Sequence, residues 1–141
     1  MPSVGVIGLG DMGSGIAKNL IANGFETWGR DVIDTRQQAF VEMGGHAGSS
    51  TADGGANAPY VFVLGMTGAE AHDVILGEGG LAQSMAPGGT ILLTSTIKPA
   101  EARAIGDGLK DTGLNLIDSP VSGGYPGAQG GTLTLMAAAP D

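Results

Sequence analysis

The sequence contains no cysteine and few basic residues, and both shortages exclude classes of function. Without cysteine the chain has no disulfide, no thiolate metal site and no cysteine nucleophile. Six Lys and Arg stand against 14 Asp and Glu, which gives a net charge of −8. A nucleic-acid partner requires a basic face that so few cations cannot supply, so we expect no such partner.

Long apolar runs are also lacking. No run approaches the roughly 20 residues that a membrane-spanning helix needs, so we expect no membrane partner. The first residues, Met1-Pro2-Ser3-Val4, show no basic region followed by an apolar one, so no secretory signal is indicated. The expected localisation is therefore cytoplasmic.

The composition that is present is typical of one globular domain. Hydrophobic residues make up 42% and charged residues 14% of the 141 positions, enough chain to bury a core of its own. The 27 glycines far exceed the usual share of roughly 7% and fall mostly at the ends of apolar and helical segments. That placement indicates tight turns and close backbone approaches.

Short apolar runs alternate with helical patterns along the chain. Strands are predicted at 4–7, 26–29, around 46–47, 60–64, 90–94, 114–117 and 132–137, and helices at 12–23, 34–43, 51–57, 69–76, 80–85 and 99–112. Asp34 is expected to cap the second helix, and Pro99 to lie in the first turn of the last one. The alternation predicts an α/β fold of the Rossmann type, a doubly wound and mostly parallel sheet in a single domain, with ligands beyond the carboxyl ends of its strands.

A glycine-rich loop, Gly8-Leu9-Gly10-Asp11-Met12-Gly13, follows the first predicted strand and opens the first predicted helix. In that context Gly8 permits the tight turn, Gly10 lets a pyrophosphate approach the backbone, and Gly13 lets the helix pack closely on the strand. The amino end of the helix adds free N–H groups and a favourable dipole. The loop therefore predicts a bound dinucleotide, with a glycine turn that holds no ligand as the alternative.

Asp31 lies 18 residues after Gly13, at the end of the second predicted strand. An acidic residue about 20 positions after the glycines hydrogen-bonds the ribose hydroxyls of NAD, and its charge repels the 2′-phosphate of NADP. Arg30 favours NADP if it contacts that phosphate. If it is a solvated charge at the strand end, it favours neither cofactor. We predict NAD, with NADP less favoured, and assign both residues to the cofactor site.

A second motif, Asp118-Ser119-Pro120-Val121-Ser122-Gly123-Gly124, continues through Gly127-Ala128 to Gly131-Thr132-Leu133-Thr134-Leu135-Met136. Consecutive small residues at 122–124 expose backbone N–H groups, which together with the Ser122 hydroxyl form an anion-binding concavity. The alternative is a glycine turn with a purely structural role.

The two motifs together resemble the β-hydroxyacid dehydrogenases, the 3-hydroxyisobutyrate dehydrogenase-like family, from residue 3 almost to the last residue. The resemblance implies hydride transfer between NAD and a small hydroxy acid, whose carboxylate Ser122, Gly123 and Gly124 would bind. It also implies further cofactor contacts after the fourth and fifth strands. These are Thr96, which matches a cofactor-contacting threonine, and Gly65 and Met66, which stand where the family has Leu-Pro.

The resemblance places the catalytic lysine of the family beyond Asp141, in a helical second domain that this chain lacks. Residues 1–141 then form the dinucleotide-binding domain, ending in the substrate loop 118–136, and are expected to be inactive alone. Relatives associate through the second domain, so the full-length protein is expected to be a homo-oligomer. The chain's own candidate bases are more typical of surface or packing residues; they are Lys18, Lys98, Lys110, His46 and His72.

Residues 27–31 and 77–83 look most like the L-threonate dehydrogenase branch, so a four-carbon sugar acid is the first expected substrate. 3-Hydroxyisobutyrate and tartronate semialdehyde come next. Three alternatives stay open: a dinucleotide-binding module without catalysis, an imine reductase, and 6-phosphogluconate dehydrogenase. Asp31 counts against an imine reductase, which prefers NADPH, and residues 132–135 depart from the pattern of 6-phosphogluconate dehydrogenase.

Overall fold

The computed structural model describes residues 3–95, 97–118, 121–122 and 134–135, the last two pairs by their backbone. Its elements follow the predicted alternation. In chain order they are β1 (Ser3–Ile7), α1 (Asp11–Ala22), β2 (Glu26–Arg30), α2 (Asp34–Glu42), β3 (His46–Ala47), α3 (Thr51–Asn57), β4 (Tyr60–Val63), α4 (Gly68–Leu76), α5 (Leu81–Ser84), β5 (Thr90–Leu93), α6 (Pro99–Gly108), β6 (Asn115–Asp118), β7 (Val121–Ser122) and β8 (Thr134–Leu135).

Six strands form one parallel sheet in the order β3-β2-β1-β4-β5-β6. The order reverses between β1 and β4, which makes this the switch point of a doubly wound fold. The predicted Rossmann-type architecture is therefore confirmed. The last predicted strand differs, because β8 pairs antiparallel with β7 in a separate two-stranded sheet and does not extend the parallel one.

The register brings the carboxyl ends of the parallel strands to one edge of the sheet. Ile7 at the end of β1 lies beside Arg30 of β2 and Val63 of β4. Val63 in turn lies beside Leu93 of β5, which lies beside Asp118 of β6. The loops that follow these strands therefore meet at one edge, although they are far apart in sequence.

Both faces of the sheet are covered by apolar clusters. On one face, Ile7, Val61 and Val63 pack with buried residues of α4, α5 and α6. On the other, Val6 packs with Ala17 of α1 and Phe40 of α2. Val6 and Ile7 face opposite sides because successive side chains of a strand alternate, so β1 is buried on both faces as a central parallel strand requires.

The Phe40 ring fixes α2 against the second strand. A Cβ added to Gly29 of β2 would lie 2.6 Å from the ring, and one added to Gly45 would overlap it. Phe40 is 1% exposed. Two glycines therefore create the space for one aromatic ring, which sets the distance between α2 and the end of β2.

Helix boundaries agree with the predictions to within one residue except at the end of α6, and the cap of α2 also differs. Asp34, predicted to cap α2, is its first helical residue, and the cap position is Ile33, whose backbone is extended. α6 starts at Pro99 as predicted but ends at Gly108 and not at residue 112. Asp111 and Gly113 have φ of +68° and +78°, and this left-handed backbone cannot continue a helix. Within the described parts of the chain, no helix combines the length and the apolar character that crossing a bilayer demands.

Candidate functional site

A cavity of about 640 Å³ opens at the carboxyl edge of the sheet, where the strand order reverses. Ligands of doubly wound folds bind in this crevice. Its walls come from the loops after β1, β2 and β4 and from segments around α3 and α4. The lining residues are Ile7, Gly8, Gly10, Arg30, Asp31, Val32, Arg36, Ser49, Ser50, Thr51, Ala52, Leu64, Gly65, Met66, Glu70, Asp73, Val74, Glu78 and Gly79.

The three glycines of the first loop have three different environments. Gly8 has φ of +104°, and a Cβ there would overlap the Leu64 carbonyl oxygen. A Cβ on Gly13 would overlap the Gly8 carbonyl oxygen, so α1 packs directly on the loop. Gly10 is different, because among the described residues a Cβ there would meet only the Arg36 guanidinium, at 3.6 Å. Gly8 and Gly13 are thus required by packing, whereas Gly10 faces the cavity.

The remaining residues of that loop divide between the cavity and the fold. Gly10 stands at the N-cap position of α1 and has no side chain that could cap it. Asp11 is exposed in the first turn of α1, and Met12 lines a neighbouring recess. Leu9 has a buried side chain, and its N–H points to the second strand's end. The N-cap position of α1 therefore borders the cavity, and the free N–H groups of a helix amino end suit an anionic ligand.

Asp31 connects the end of β2 to the glycine loop. Its Oδ2 accepts the Leu9 N–H at 2.7 Å, and its Oδ1 accepts the Ile33 N–H at 2.8 Å. Arg36 Nη1 lies 3.7 Å from Oδ2. The Asp31 side chain is 6% exposed, so the carboxylate is buried, paired and hydrogen-bonded at the cavity wall. Such pairing is what keeps a buried charge tolerable.

Arg30 is tied to the sheet edge by Gln37. The guanidinium donates from Nη1 to Gln37 Oε1 at 3.3 Å, and the same oxygen accepts the Asp31 N–H at 3.1 Å. Gln37 Nε2 donates to the Gly48 carbonyl at 2.8 Å. One amide side chain thus joins β2 to the segment after β3 and orients Arg30 within the wall of the cavity.

Several lining residues could not be identified from motifs. Arg36 lies in the first turn of α2, five residues after Asp31, and its closeness to the glycine loop depends on how α2 packs. Val32 is 87% exposed at the cavity edge. Residues 49–52 comprise the turn before α3 and its first two residues, far from the glycine loop in sequence. A charged residue early in the helix after β2 is the one local signal that could have pointed to Arg36.

A second recess of about 500 Å³ adjoins the cavity and is lined by Met12, Leu64, Gly65, Met66, Thr67, Glu70, Thr94 and Ser95. The buried Ser95 hydroxyl accepts the Met66 N–H at 3.3 Å and donates to the Val63 carbonyl at 3.4 Å. Gly65 has φ of +67°, and in the described part of the chain no atom lies within 4 Å of where its Cβ would stand. Ser95 therefore holds the loop after β4 to the end of β5.

Glu70 lines both cavities, yet its carboxylate serves the helix. Glu70 Oε1 accepts the Thr67 N–H at 3.0 Å, and Thr67 Oγ1 accepts the Glu70 N–H at 3.2 Å. The bond from the Thr67 N–H above all, and one from the Thr67 hydroxyl to the same carboxyl, hold the pKa of Glu70 below its ordinary value. Asp53 resembles it, because bonds from the Ser49 hydroxyl and N–H lower the pKa of its carboxyl. Both acids therefore stabilise helix starts.

The structure does not describe the side chains of the other predicted site residues. Thr96, Gly123 and Gly124 lie outside the described residues, and Ser122 is described only as backbone of β7, paired with Thr134. Their assignment to cofactor and substrate stays a prediction.

The candidate bases of the chain do not contribute to either cavity. None of the described Lys and His residues lines either one. His46 stacks on Trp28 with ring centres 5.2 Å apart, and its Nε2 lies 3.9 Å from Glu26 Oε1. Lys110 Nζ lies 3.1 Å from Asp107 Oδ1. Over the described ranges no group of three or more acidic or His side chains is arranged to hold a metal ion.

A protein-family model described as the NAD binding domain of 6-phosphogluconate dehydrogenase matches residues 3–141. L-threonate dehydrogenase from Cupriavidus necator is 36% identical over 138 residues, which cover 98% of this chain and 46% of that protein. An NAD-dependent L-serine dehydrogenase from Pseudomonas aeruginosa is 35% identical over 136 residues, covering 96% of this chain and 46% of the relative. The chain spans about half the length of the curated relatives it matches.

Solved structures agree with the sequence relatives. The crystal structure of 3-hydroxyisobutyrate dehydrogenase from Salmonella typhimurium matches with a TM-score of 0.90 and 33% identity, covering 97% of this chain and 48% of that one. The predicted resemblance and the predicted fold class are both confirmed by these similarities.

Proposed function

Since the chain belongs to the family described as the NAD binding domain of 6-phosphogluconate dehydrogenase, we propose that it is the cofactor-binding domain of an NAD-dependent dehydrogenase of small hydroxy acids. The observation that carries the proposal is the environment of Gly10. This glycine has an ordinary φ, and among the described residues a Cβ on it would meet only the Arg36 guanidinium, at an ordinary contact distance of 3.6 Å. Its lack of a Cβ therefore serves the cavity and not the core.

The residues around the larger cavity fit a dinucleotide. Gly8, Gly10 and Gly13 bring the backbone and the amino end of α1 to the position of a pyrophosphate, with the intervening Leu9, Asp11 and Met12 in the same loop. The Asp31 carboxylate stands where the adenosine ribose hydroxyls bind, and we assign Arg30 to the same wall. A carboxylate there favours NAD over NADP.

The second recess fits the other end of the cofactor. We assign Gly65, Met66 and Thr96 to the nicotinamide side, where Ser95 fixes the backbone of Met66. When bound, the nicotinamide exchanges a hydride with the substrate carbon. The protein's part is to hold that ring at the switch point and to exclude water with apolar walls such as Leu64 and Met66.

The substrate is proposed to be a small hydroxy acid bound by Ser122, Gly123 and Gly124. L-threonate is the first candidate, because sequence relatives carrying that name are 36% identical to this chain. L-serine, 3-hydroxyisobutyrate and tartronate semialdehyde follow, the first two because other relatives bear those names. The relatives therefore favour hydroxyacid dehydrogenation over the reaction of 6-phosphogluconate dehydrogenase, whose name the family carries.

The proton acceptor is proposed to be a lysine beyond Asp141. In support of this, no described lysine lines either cavity. Residues 1–141 alone should then bind nucleotide with negligible turnover. The complete protein is proposed to act as a homo-oligomer.

Nucleotide binding by this chain tests the proposal directly. Titration with NAD+ by calorimetry should give a 1:1 complex, and Gly10→Ala should abolish it, since a methyl group there projects to the pyrophosphate position. The matched control is Gly106→Ala on α6, where a Cβ would have a neighbour no closer than 3.8 Å. Loss of NAD+ binding in Gly10→Ala with unchanged circular dichroism supports the proposal. Equal binding by Gly10→Ala and Gly106→Ala would contradict it.

A further inference from the structure

We propose that Arg36 is a specificity-determining residue that accepts the 2′-phosphate of NADP, so that the enzyme uses NADP measurably in spite of Asp31. The inference rests on the proposed function, because it deepens the assignment of the same cavity. It also assigns the contact with the 2′-phosphate to Arg36 and not to Arg30. Arg30 is adjacent to Asp31 in sequence, whereas Arg36 is close to Asp31 only because α2 packs against the end of β2.

The position of Arg36 is the first argument. Its guanidinium lies between the Asp31 carboxylate, 3.7 Å away, and Gly10, whose missing Cβ would be 3.6 Å from Nη1. It therefore stands at the point where the glycine loop and the ribose-binding acid meet. The side chain is 48% exposed and lines the cavity, so it is accessible to a ligand there.

The state of Asp31 is the second argument. Both of its oxygens already accept backbone N–H groups, from Leu9 and Ile33, and it is almost fully buried. These bonds neutralise part of its charge, and the guanidinium of Arg36 offsets more of it. Repulsion of a 2′-phosphate by this carboxylate is therefore weaker than that from a free one, and a partner for the phosphate is already at the site.

The difference between the two arginines is the third argument. Arg30 donates to Gln37, which is itself fixed by Gly48, so that its guanidinium is engaged at the sheet edge. Among the described residues, the charged partner of Arg36 is Asp31, at a distance longer than that of a hydrogen bond. Within the described part of the chain, all five guanidinium donors of Arg36 are therefore available to a phosphate, whereas Arg30 is held in place by its bond to Gln37.

The experiment compares the Kd of NAD+ and NADP+ for the wild-type chain, Arg36→Ala, Arg36→Lys and Arg30→Ala, with Arg103→Ala on α6 as the matched loss of an exposed charge. The wild type should bind both, NADP+ more weakly. A hydrogen bond to a charged group contributes roughly 1.5–3 kcal/mol, so Arg36→Ala should weaken NADP+ binding by about tenfold or more with little change for NAD+. Arg36→Lys should restore part of the loss, and Arg30→Ala and Arg103→Ala should leave the ratio of the two affinities unchanged.

Ionic strength gives a second readout that does not depend on the stability of a variant. The wild-type affinity for NADP+ should fall more steeply with added salt than that for NAD+, and the difference should disappear in Arg36→Ala. Equal losses of NAD+ and NADP+ in Arg36→Ala would place Arg36 at a shared part of the cofactor and overturn the inference. Wild-type binding of NAD+ without NADP+ would overturn it too. A folded wild type that binds neither nucleotide would instead refute the proposed function itself.

Discussion

The Asp31 carboxylate accepts the backbone N–H of Leu9 at 2.7 Å, joining the end of β2 to the glycine loop of β1. The residue that the sequence marks as a selector of cofactor is therefore also a structural connection within the site. Its charge affects the preference between NAD and NADP, and its hydrogen bond affects the stability of the fold. Substitutions can measure both effects.

Asp31→Ala should lower both stability and cofactor selectivity. The buried Leu9 N–H would lose its acceptor, which costs about 1–3 kcal/mol, and urea denaturation should report that loss. The ratio of NADH to NADPH affinity should move toward one, because the ribose acceptor and the negative charge are both removed. Asp34→Ala, at the exposed start of α2, should change stability less and leave the ratio unaltered. A constant ratio in Asp31→Ala would show that Asp31 does not select the cofactor.

Ser122→Ala, made in the full-length protein, should weaken binding of the hydroxy acid more than binding of the cofactor. The reason is that Ser122 is proposed to hold the substrate carboxylate. KM for L-threonate should rise, while Kd for NAD+ measured without substrate should stay the same. If both constants worsen equally, Ser122 belongs to the cofactor site or to the fold.

Gly29→Ala should destabilise the chain through Phe40. The new methyl carbon would lie 2.6 Å from the buried ring, and overpacking of this kind costs about 1–3 kcal/mol. The double variant Gly29→Ala/Phe40→Leu should lose less stability than the sum of the two single variants, because the smaller side chain makes room. Strictly additive free energies of unfolding would show that the ring and Gly29 are not coupled.

Stability in acid should depend on Glu70. The bonds from Thr67 lower the pKa of this carboxyl in the folded state. Its contribution is therefore complete above the unfolded pKa of about 4.3 and is lost as the pH falls through the lower folded value. Free energies of unfolding measured from pH 6 to 3 should fall less steeply with decreasing pH in Glu70→Gln than in the wild type.

Thr67→Val provides the control for that measurement. It removes the hydroxyl partner and keeps the backbone N–H, so the pKa of Glu70 should move only part of the way back to its ordinary value. Identical pH profiles for Glu70→Gln and the wild type would contradict the role assigned to the capping pair.

Local sequence patterns predicted the elements well. α3 and β3 have the predicted bounds, the other helices and parallel strands differ by one residue at an end, and α6 ends four residues earlier than predicted. Apolar periodicity and glycine placement are local properties, and they act on secondary structure through the backbone of a few neighbouring residues. The largest error in a helix boundary is at the end of α6. There the left-handed backbone of Asp111 ends the helix, and the apolar pattern does not reveal that conformation.

The chain's own sequence determined its family, its alternation of strands and helices, and the glycine loop, because each is carried by residues close together along the chain. Only the tertiary structure decided which side chains share the cavity. Arg36 meets Gly10 and Asp31 because the Phe40 ring fits against Gly29 and Gly45 and so sets α2 on the end of β2. Packing of that kind depends on shape and volume between distant segments, and no periodicity in the sequence encodes it.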